Sequence, residues 1–403
     1  MKQPAPALRR VLSLPAIVFY GLGVTVGAGI FALIGEIIKI SGNLSPLAFL
    51  VAGLTAGATG WSYALLVRLF PRAGGEAIYV SRGLGRLAGQ LAGLGVVITG
   101  TVSSAVIALA FAGYLNAVIA IPTLPASLGL VIILGLVAWW GVRESIWLAA
   151  IITLMETGTL ILVAAFGIPE MIAAEVVLLD MGSTPIAEQT AMVLSGSVIA
   201  FFAFIGFEDM VNMAEETKRP ETTMPKAILI TLLVTLVLYL GLSTIAVSIP
   251  EKDAIASSSA PMATLFEAVS GMSGQPVAVI SALAMVNGIL VQIIMAARVL
   301  YGMANDGQLP ALLATIDRRR QTPAVATALV CFAVILLAAS FDLTSLAELT
   351  SLVTLLVFTL VNLALFAIGV KFPQAGLGKW RWWGLFAATP TAVILGWQIT
   401  RLY

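Results

Sequence analysis

The stretch Gly21–Phe31 reads GLGVTVGAGIF and lies inside an apolar run that extends from Val11 to Ile38. Four of its eleven residues are glycine, and each weakens a helix by roughly 1 kcal/mol relative to alanine. In water a loosened helix satisfies its backbone from solvent. In a bilayer it cannot, so glycines at this density call for a reason.

Composition supplies the setting. Of 403 residues, 60% are hydrophobic and 10% charged, with a mean hydropathy of +1.05; a soluble globular chain carries about 25% charge. About 20 apolar residues span a bilayer as a helix. The pattern predicts such spans near 12–38, 45–67, 87–115, 126–141, 146–168, 189–213, 226–249, 275–303, 323–340, 344–369 and 384–400. These runs are too long, and alternate too little, for barrel strands. The chain therefore reads as an all-α polytopic membrane protein of about eleven transmembrane helices, residues 1–403 forming one transmembrane domain. Its N-terminus lacks a small-residue cleavage site, so the first run is expected to persist as a helix. The net charge of +1 points to no nucleic-acid partner, and the single Cys331 rules out an internal disulfide.

Lysine and arginine set orientation. With a cytoplasmic N-terminus, 17 of the 21 basic residues fall inside; Lys39, Lys252 and Arg401 fall outside, and Arg298 lies near the inner end of span 8. An odd number of spans then puts the C-terminus outside.

A second interrupted span answers the first. Span 6 contains FFAFIGFEDM (Phe201–Met210), where Gly206 is followed closely by two carboxylates. Spans 1 and 6 are five apart, so the second copy enters the membrane in the opposite sense. The reading is a 5+5 inverted repeat, residues 12–168 and 189–369, with 384–400 as an additional eleventh helix. Glycine-interrupted segments at corresponding positions of two halves point to a transporter binding site, whereas glycines that only let helices approach would mark packing. Unwinding exposes N–H groups at a half-helix N-terminus, where the dipole favours an anion. It also frees carbonyls that hold a cation. Two adjacent breaks suit a small zwitterion, which makes amino acids the natural ligand class.

GLGVTVGAGIF, FFAFIGFEDMVNMAEETKRPETTMPKAI (Phe201–Ile228) and GILVQIIMAARVLYGMANDGQLP (Gly288–Pro310) together resemble the amino acid–polyamine–organocation transporter superfamily, in particular its cationic-amino-acid-transporter-like permeases. The similarity covers roughly residues 10 to 370, and the AEETKRPE element after FIGFE is its specific part. The resemblance implies the fold of sodium-coupled leucine transporters, with helices 1 and 6 broken around substrate. It places a substrate carboxylate on the N–H groups of Ala28 and Gly29, and the α-amine on carbonyls of Thr25, Phe202, Ala203 and Ile205. Ile30, Phe204 and Phe207 would line the side-chain pocket. Relatives often carry a hydroxyl where Ala28 stands, so this chain relies on backbone there. Small or medium neutral amino acids are the expected substrates.

Glu156 stands near the middle of the apolar run AAIITLMETGTLILVAAF (149–166). An ionised acid there costs about 2.5–3.5 kcal/mol on insertion scales, so a neutral or cation-paired carboxyl is expected. Two readings stand: a structural acid bonded to a neighbouring helix, or the ion-coupling group. The resemblance aligns it with a lysine that replaces the sodium ion in several relatives, and a glutamate would instead bind a cation or carry the proton. The resemblance also puts Ala296 and Ala297 where hydroxyls commonly complete a sodium site, which favours a proton over sodium. Glu208 and Asp209 are expected to gate the inner half, to cap the second half-helix, or both. Glu215, Glu216 and Lys218 are expected to form a cytoplasmic face that closes it.

Enzyme signatures are missing: no Gly-rich loop ends in GK[ST], and zero histidines with one cysteine exclude HExxH and CxxC metal spacings. No cofactor or metal is expected. The sequence thus reads as a secondary active transporter of amino acids working by alternating access, multi-pass in the cell's inner (plasma) membrane and monomeric. Alternatives are sodium-coupled or uncoupled exchange, an ion channel, or a non-transporting amino-acid sensor.

Overall fold

The computed structural model describes residues 10–72, 74–141, 146–174, 184–317 and 319–402. Of the basic residues counted for orientation, Lys2, Arg9, Arg143 and Arg318 lie outside them. The chain is built from helices: α1 (Leu14–Ser41), α2 (Ser45–Leu69), α3 (Gly75–Leu84), α4 (Arg86–Val118), α5 (Thr123–Trp140), α6 (Ile146–Ala173) and α7 (Ile186–Phe202). They continue as α8 (Pro220–Ser248), α9 (Lys252–Ser257), α10 (Pro261–Ser270), α11 (Gln275–Asn305), α12 (Ala324–Ser340), α13 (Leu343–Lys371) and α14 (Arg381–Leu402). Each of the eleven expected spans coincides with a helix. Eight stretches are long and apolar enough to cross a bilayer, and one of them, Leu14–Leu69, carries both α1 and α2. The remaining two are α12, which is shorter at 17 residues, and α14, whose apolar run is diluted by Pro390, Gln398 and Arg401.

Helix boundaries follow local chemistry. Proline opens α1, α2, α8, α10 and α11, where its missing N–H costs nothing and its fixed φ fits the first turn. Asp342 caps α13: its carboxylate accepts from the Ser345 amide at 3.0 Å and the Ser345 hydroxyl at 2.7 Å. Those two bonds hold its carboxyl below the usual carboxylate range.

The bundle pairs helices across its two halves: α1 lies on α7, α2 along α8, α4 along α11, and α5 along α12. Large apolar side chains that stay exposed, such as Ile132 and Ile133 of α5, Leu154 and Ile161 of α6, and Phe332 and Leu336 of α12, belong to the face a bilayer covers. On the basic side of the bundle, the segment between α2 and α4 forms α3, an amphipathic helix that lies outside the eleven expected spans. It presents Gly75, Glu76, Tyr79, Val80 and Gly83 to the core. At Gly83 an added Cβ would meet the Ala364 Cα at 2.7 Å, so α3 is pressed against α13.

Both expected interruptions are present. In α1 the backbone leaves helical geometry at Gly27 (φ 6°, ψ −139°). Helix α7 ends at Phe202, and after a tight turn the chain resumes as a 3₁₀ segment over Phe207–Glu216 rather than as a second α-helix. Its far end is fixed by backbone pairing: Val11 and Leu12 N–H donate to the Glu216 carbonyl at 2.9 and 3.0 Å, and Lys218 N–H donates to the Leu12 carbonyl at 2.8 Å. What ties the residues expected to close the inner face is thus a short parallel bridge to the segment before α1.

Candidate functional site

The two breaks touch. A Cβ on Gly29 would stand 2.6 Å from the Ala203 Cα, and one on Gly206 would stand 2.6 Å from the Val24 carbonyl oxygen. Gly206 also has φ 122°, a region that side-chain-bearing residues avoid. Glycine is therefore required here twice over, for its torsion and for the close approach. At Gly27 an added Cβ would meet nothing within 4 Å, so open space adjoins the break in α1. Of the positions expected to bind substrate, Thr25, Ala28, Gly29, Ile30, Phe202, Ala203, Phe204 and Phe207 are buried and Ile205 is half-buried. The close approaches of Gly29 to Ala203 and of Val24 to Gly206 join two stretches about 175 residues apart in sequence; Ile205 instead lines a small cavity beyond the break, and Phe207 packs against Tyr63 and Phe358.

Carbonyls freed by both breaks meet a single donor. The Tyr239 hydroxyl of α8 lies 3.2 Å from the Thr25 carbonyl, 3.2 Å from that of Val26 and 3.0 Å from that of Ala203. Its ring is fixed edge-on between Phe49 and Phe204, with centroids 5.6 and 5.2 Å away. A phenol has one proton to give, so it bridges the three acceptors in turn and ties α1 to α7. Two of these carbonyls, Thr25 and Ala203, were expected to hold an ammonium. The Phe202 carbonyl accepts the Ile205 N–H at 3.1 Å within the turn.

Glu156 on α6 is buried, and its Oε2 has no hydrogen-bond partner among the described residues. It is close enough to Tyr239 for the two to interact electrostatically. One turn earlier, Thr153 presses on Gly23 of α1. The acid thus faces the broken part of the bundle and not the lipid.

On the other side of the α7 break a second polar cluster forms. The Glu208 Oε2 accepts the Gly206 N–H at 2.8 Å, and the Asp209 N–H donates to the Gly206 carbonyl at 3.1 Å, so Glu208 does cap the broken end. Both acids are buried, and so is Glu76 of α3. The Tyr63 hydroxyl donates to Glu76 Oε1 at 3.0 Å, and its ring stacks edge-on against Tyr79, Phe207 and Phe358. Burial pushes the Glu76 carboxyl above its ordinary range, while its own backbone N–H and the Tyr63 hydroxyl pull it back in part. Glu76, Glu208, Asp209, Ile205, Thr99 and Gln292 line a cavity of about 20 Å³, room for roughly one water-sized group. The Gln292 Oε1 is buried there without a hydrogen-bond partner among the described residues.

Sequence reasoning did not find Tyr239, Glu76 or Gln292. Tyr239 lies in an unbroken apolar run, and its partners are 214, 213 and 36 residues away, so no local signal marks it. Glu76 did carry one: a lone acid directly after a glycine pair, in a loop otherwise bearing arginines. The Ser103 and Ser104 hydroxyls return to the Gly100 carbonyl of their own helix. Glu348 accepts from Gln398 of α14 at 2.9 Å. Trp139 and Trp140 both lie under the Arg320 guanidinium.

Lipid-length helices with facing interruptions at a polar locus define the class of membrane transporters built on discontinuous helices. The sequence profile of the amino acid permease family matches residues 12–399, and the chain belongs to that family. It is 27% identical to a cationic amino acid transporter 3, mitochondrial, of Arabidopsis thaliana, over 91% of this chain and 63% of that protein. It is 30% identical to an uncharacterized transporter of Mycobacterium bovis, over 90% of this chain and 81% of the relative. A branched-chain amino acid permease of Bacillus subtilis is 25% identical over 91% of this chain and 83% of its own length. The chain thus spans less than two thirds of the plant transporter and most of the bacterial ones.

Proposed function

We propose that the chain is a secondary active transporter of small or medium neutral L-amino acids, working by alternating access and coupled to protons through Glu156. One observation carries this reading. A single hydroxyl, Tyr239, binds carbonyls from both breaks, and it stands within electrostatic reach of a buried acid with an unpartnered oxygen. A change in the charge of Glu156 would be felt first by the group that ties the two breaks together. Substrate carboxylate would be held by the Ala28 and Gly29 N–H groups, with Thr25, Phe202, Ala203 and Ile205 offering carbonyls to the α-amine. Ile30, Phe204 and Phe207 would enclose the side chain. Their apolar character, and the relative named for branched-chain substrates, support a neutral side chain. Glu208 and Asp209 would gate the inner half.

The pairing of α1 with α7, α2 with α8, α4 with α11 and α5 with α12 supports the inverted repeat of 12–168 and 189–369, because helices related by a central two-fold axis meet their own counterparts. The basic residues collected on one side support a cytoplasmic N-terminus and an extracytoplasmic C-terminus. The chain would act in the plasma membrane as a monomer.

The test is Glu156→Gln in proteoliposomes. Substrate binding should persist while accumulation driven by an imposed proton gradient is lost. Normal accumulation in that variant would remove the coupling role. Accumulation that needs sodium instead would replace the proton with the other ion.

A further inference from the structure

The basic face of the bundle is indented beside α3. A cavity of about 670 Å³ lies between the end of α2, one side of α3, the first turn of α4 and the end of α11. Four exposed arginines line it, Arg10, Arg72, Arg82 and Arg86, against one acid, Asp306. None of the four arginines has a carboxylate partner within ion-pair distance among the described residues. They converge on the same hollow without neutralising partners, and like charges so gathered favour an anion in the space between them.

Backbone adds to the charge. The 33-residue helix α4 begins at Arg86, after Gly85, with no side chain capping it. Arg86, Gly89 and Gln90 of its first turns line the cavity; the Gly89 N–H already donates to the Gly85 carbonyl at 3.1 Å, so the helix contributes its dipole, which favours an anion there. Guanidinium forks match phosphate oxygens two at a time. Leu69, Phe70, Pro71, Ala77 and Ile78 give the lining an apolar part, beside Ser81 and Gln308. The volume far exceeds that of a bare phosphate, so the chemistry fits a phosphate attached to an apolar body.

We propose that this cavity binds a phosphate-bearing ligand, and that its occupancy pins α3 and so regulates transport. The second half rests on the transport reading above; the binding half does not. Helix α3 has two working sides. Ala77, Ile78, Ser81 and Arg82 face the basic cavity, while Glu76 of the same helix lines the small cavity with Glu208 and Asp209. A ligand bridging Arg82 on α3 to Arg86 on α4 and Arg72 after α2 holds α3 where Glu76 meets the end of the α7 break. Two sources offer this chemistry: an anionic phospholipid headgroup from the adjoining leaflet, or a soluble phosphate compound.

The full chain is purified in neutral detergent, and Tm is read at constant ionic strength against dioleoyl phosphatidylglycerol, dioleoyl phosphatidylcholine and inorganic phosphate. A saturable rise in Tm with phosphatidylglycerol but not phosphatidylcholine is the expected result for a lipid ligand; a rise with inorganic phosphate identifies a soluble one. Apparent affinity should fall on the order of tenfold in the double variant Arg82→Gln with Arg86→Gln, with Arg72→Gln standing in if the double variant does not fold. It should stay unchanged in the control Arg319→Gln with Lys379→Gln, two exposed charges elsewhere on the basic side. No saturable rise with any addition, or an equal loss in the control, overturns the binding site. For regulation, amino acid uptake is compared in vesicles with and without the stabilising ligand. An uptake rate that responds in the wild type and not in the double variant is expected; a bound ligand with unchanged uptake overturns the regulatory half and leaves the site.

Discussion

Replacing Tyr239 with phenylalanine removes one oxygen and leaves the ring contacts with Phe49 and Phe204 in place. The deleted hydroxyl is the donor shared by the Thr25, Val26 and Ala203 carbonyls, at 3.2, 3.2 and 3.0 Å. Because a phenol donates one proton, the loss amounts to one hydrogen bond's worth of satisfaction spread over three buried acceptors. Leaving a buried acceptor unmade costs about 1–3 kcal/mol. That cost falls on the arrangement in which both breaks face each other, so it should appear twice. Thermal unfolding of detergent-purified Tyr239→Phe should show a Tm lowered by an amount on the order of a few degrees. In proteoliposomes, uptake of a labelled neutral amino acid should fall by about tenfold, the factor that 1.4 kcal/mol represents. Phe49→Leu, which disturbs the same ring but leaves the hydroxyl, is the companion variant: it should lower Tm with a smaller effect on uptake. If Tyr239→Phe keeps both the Tm and the uptake of the wild type, the hydroxyl is idle and its place between the breaks has no consequence.

Gly29→Val should abolish substrate binding, because its first side-chain atom alone would come within 2.6 Å of the Ala203 backbone; wild-type affinity by thermal shift would remove the carboxylate site from this locus. Glu76→Gln tests the buried acid of α3. Since burial raises its folded value above the ordinary 4.5, its contribution to stability is full while it is protonated and is lost as pH rises through the folded value. The variant keeps an acceptor for Tyr63 but has no proton to lose, so its Tm should decline less than that of the wild type as pH rises above the ordinary carboxyl value. An unchanged slope would mean that Glu76 is solvated.

The breaks were legible because glycine density in an apolar run has few other causes, and the eleven spans because lipid imposes length. Helix α3 was readable in principle: Glu76, Tyr79, Val80 and Gly83 follow the spacing of one helix face. The arginines on its other side gave the segment the look of a solvated loop. The 3₁₀ character of Phe207–Glu216 was not readable, because it depends on Glu208 turning back to the Gly206 N–H and on the bridge that residues 216–218 make to Leu12. Tyr239 was hidden for a deeper reason. Its role lies in three backbone oxygens, and backbone atoms leave no trace in the identity of their residues.

That hydroxyl also changes how the proposed site must work. An amino acid entering between the breaks finds the Thr25 and Ala203 carbonyls already engaged, so binding is an exchange of donors and not the filling of vacant acceptors. A neutral hydroxyl bond contributes about 0.5–1.5 kcal/mol and a bond from a charged donor about 1.5–3, so an ammonium wins each contested carbonyl by roughly 1 kcal/mol. The gap is small enough for release. The displaced hydroxyl must then find another acceptor, and in the proposed mechanism the charge of Glu156, which interacts with Tyr239 electrostatically, biases that exchange.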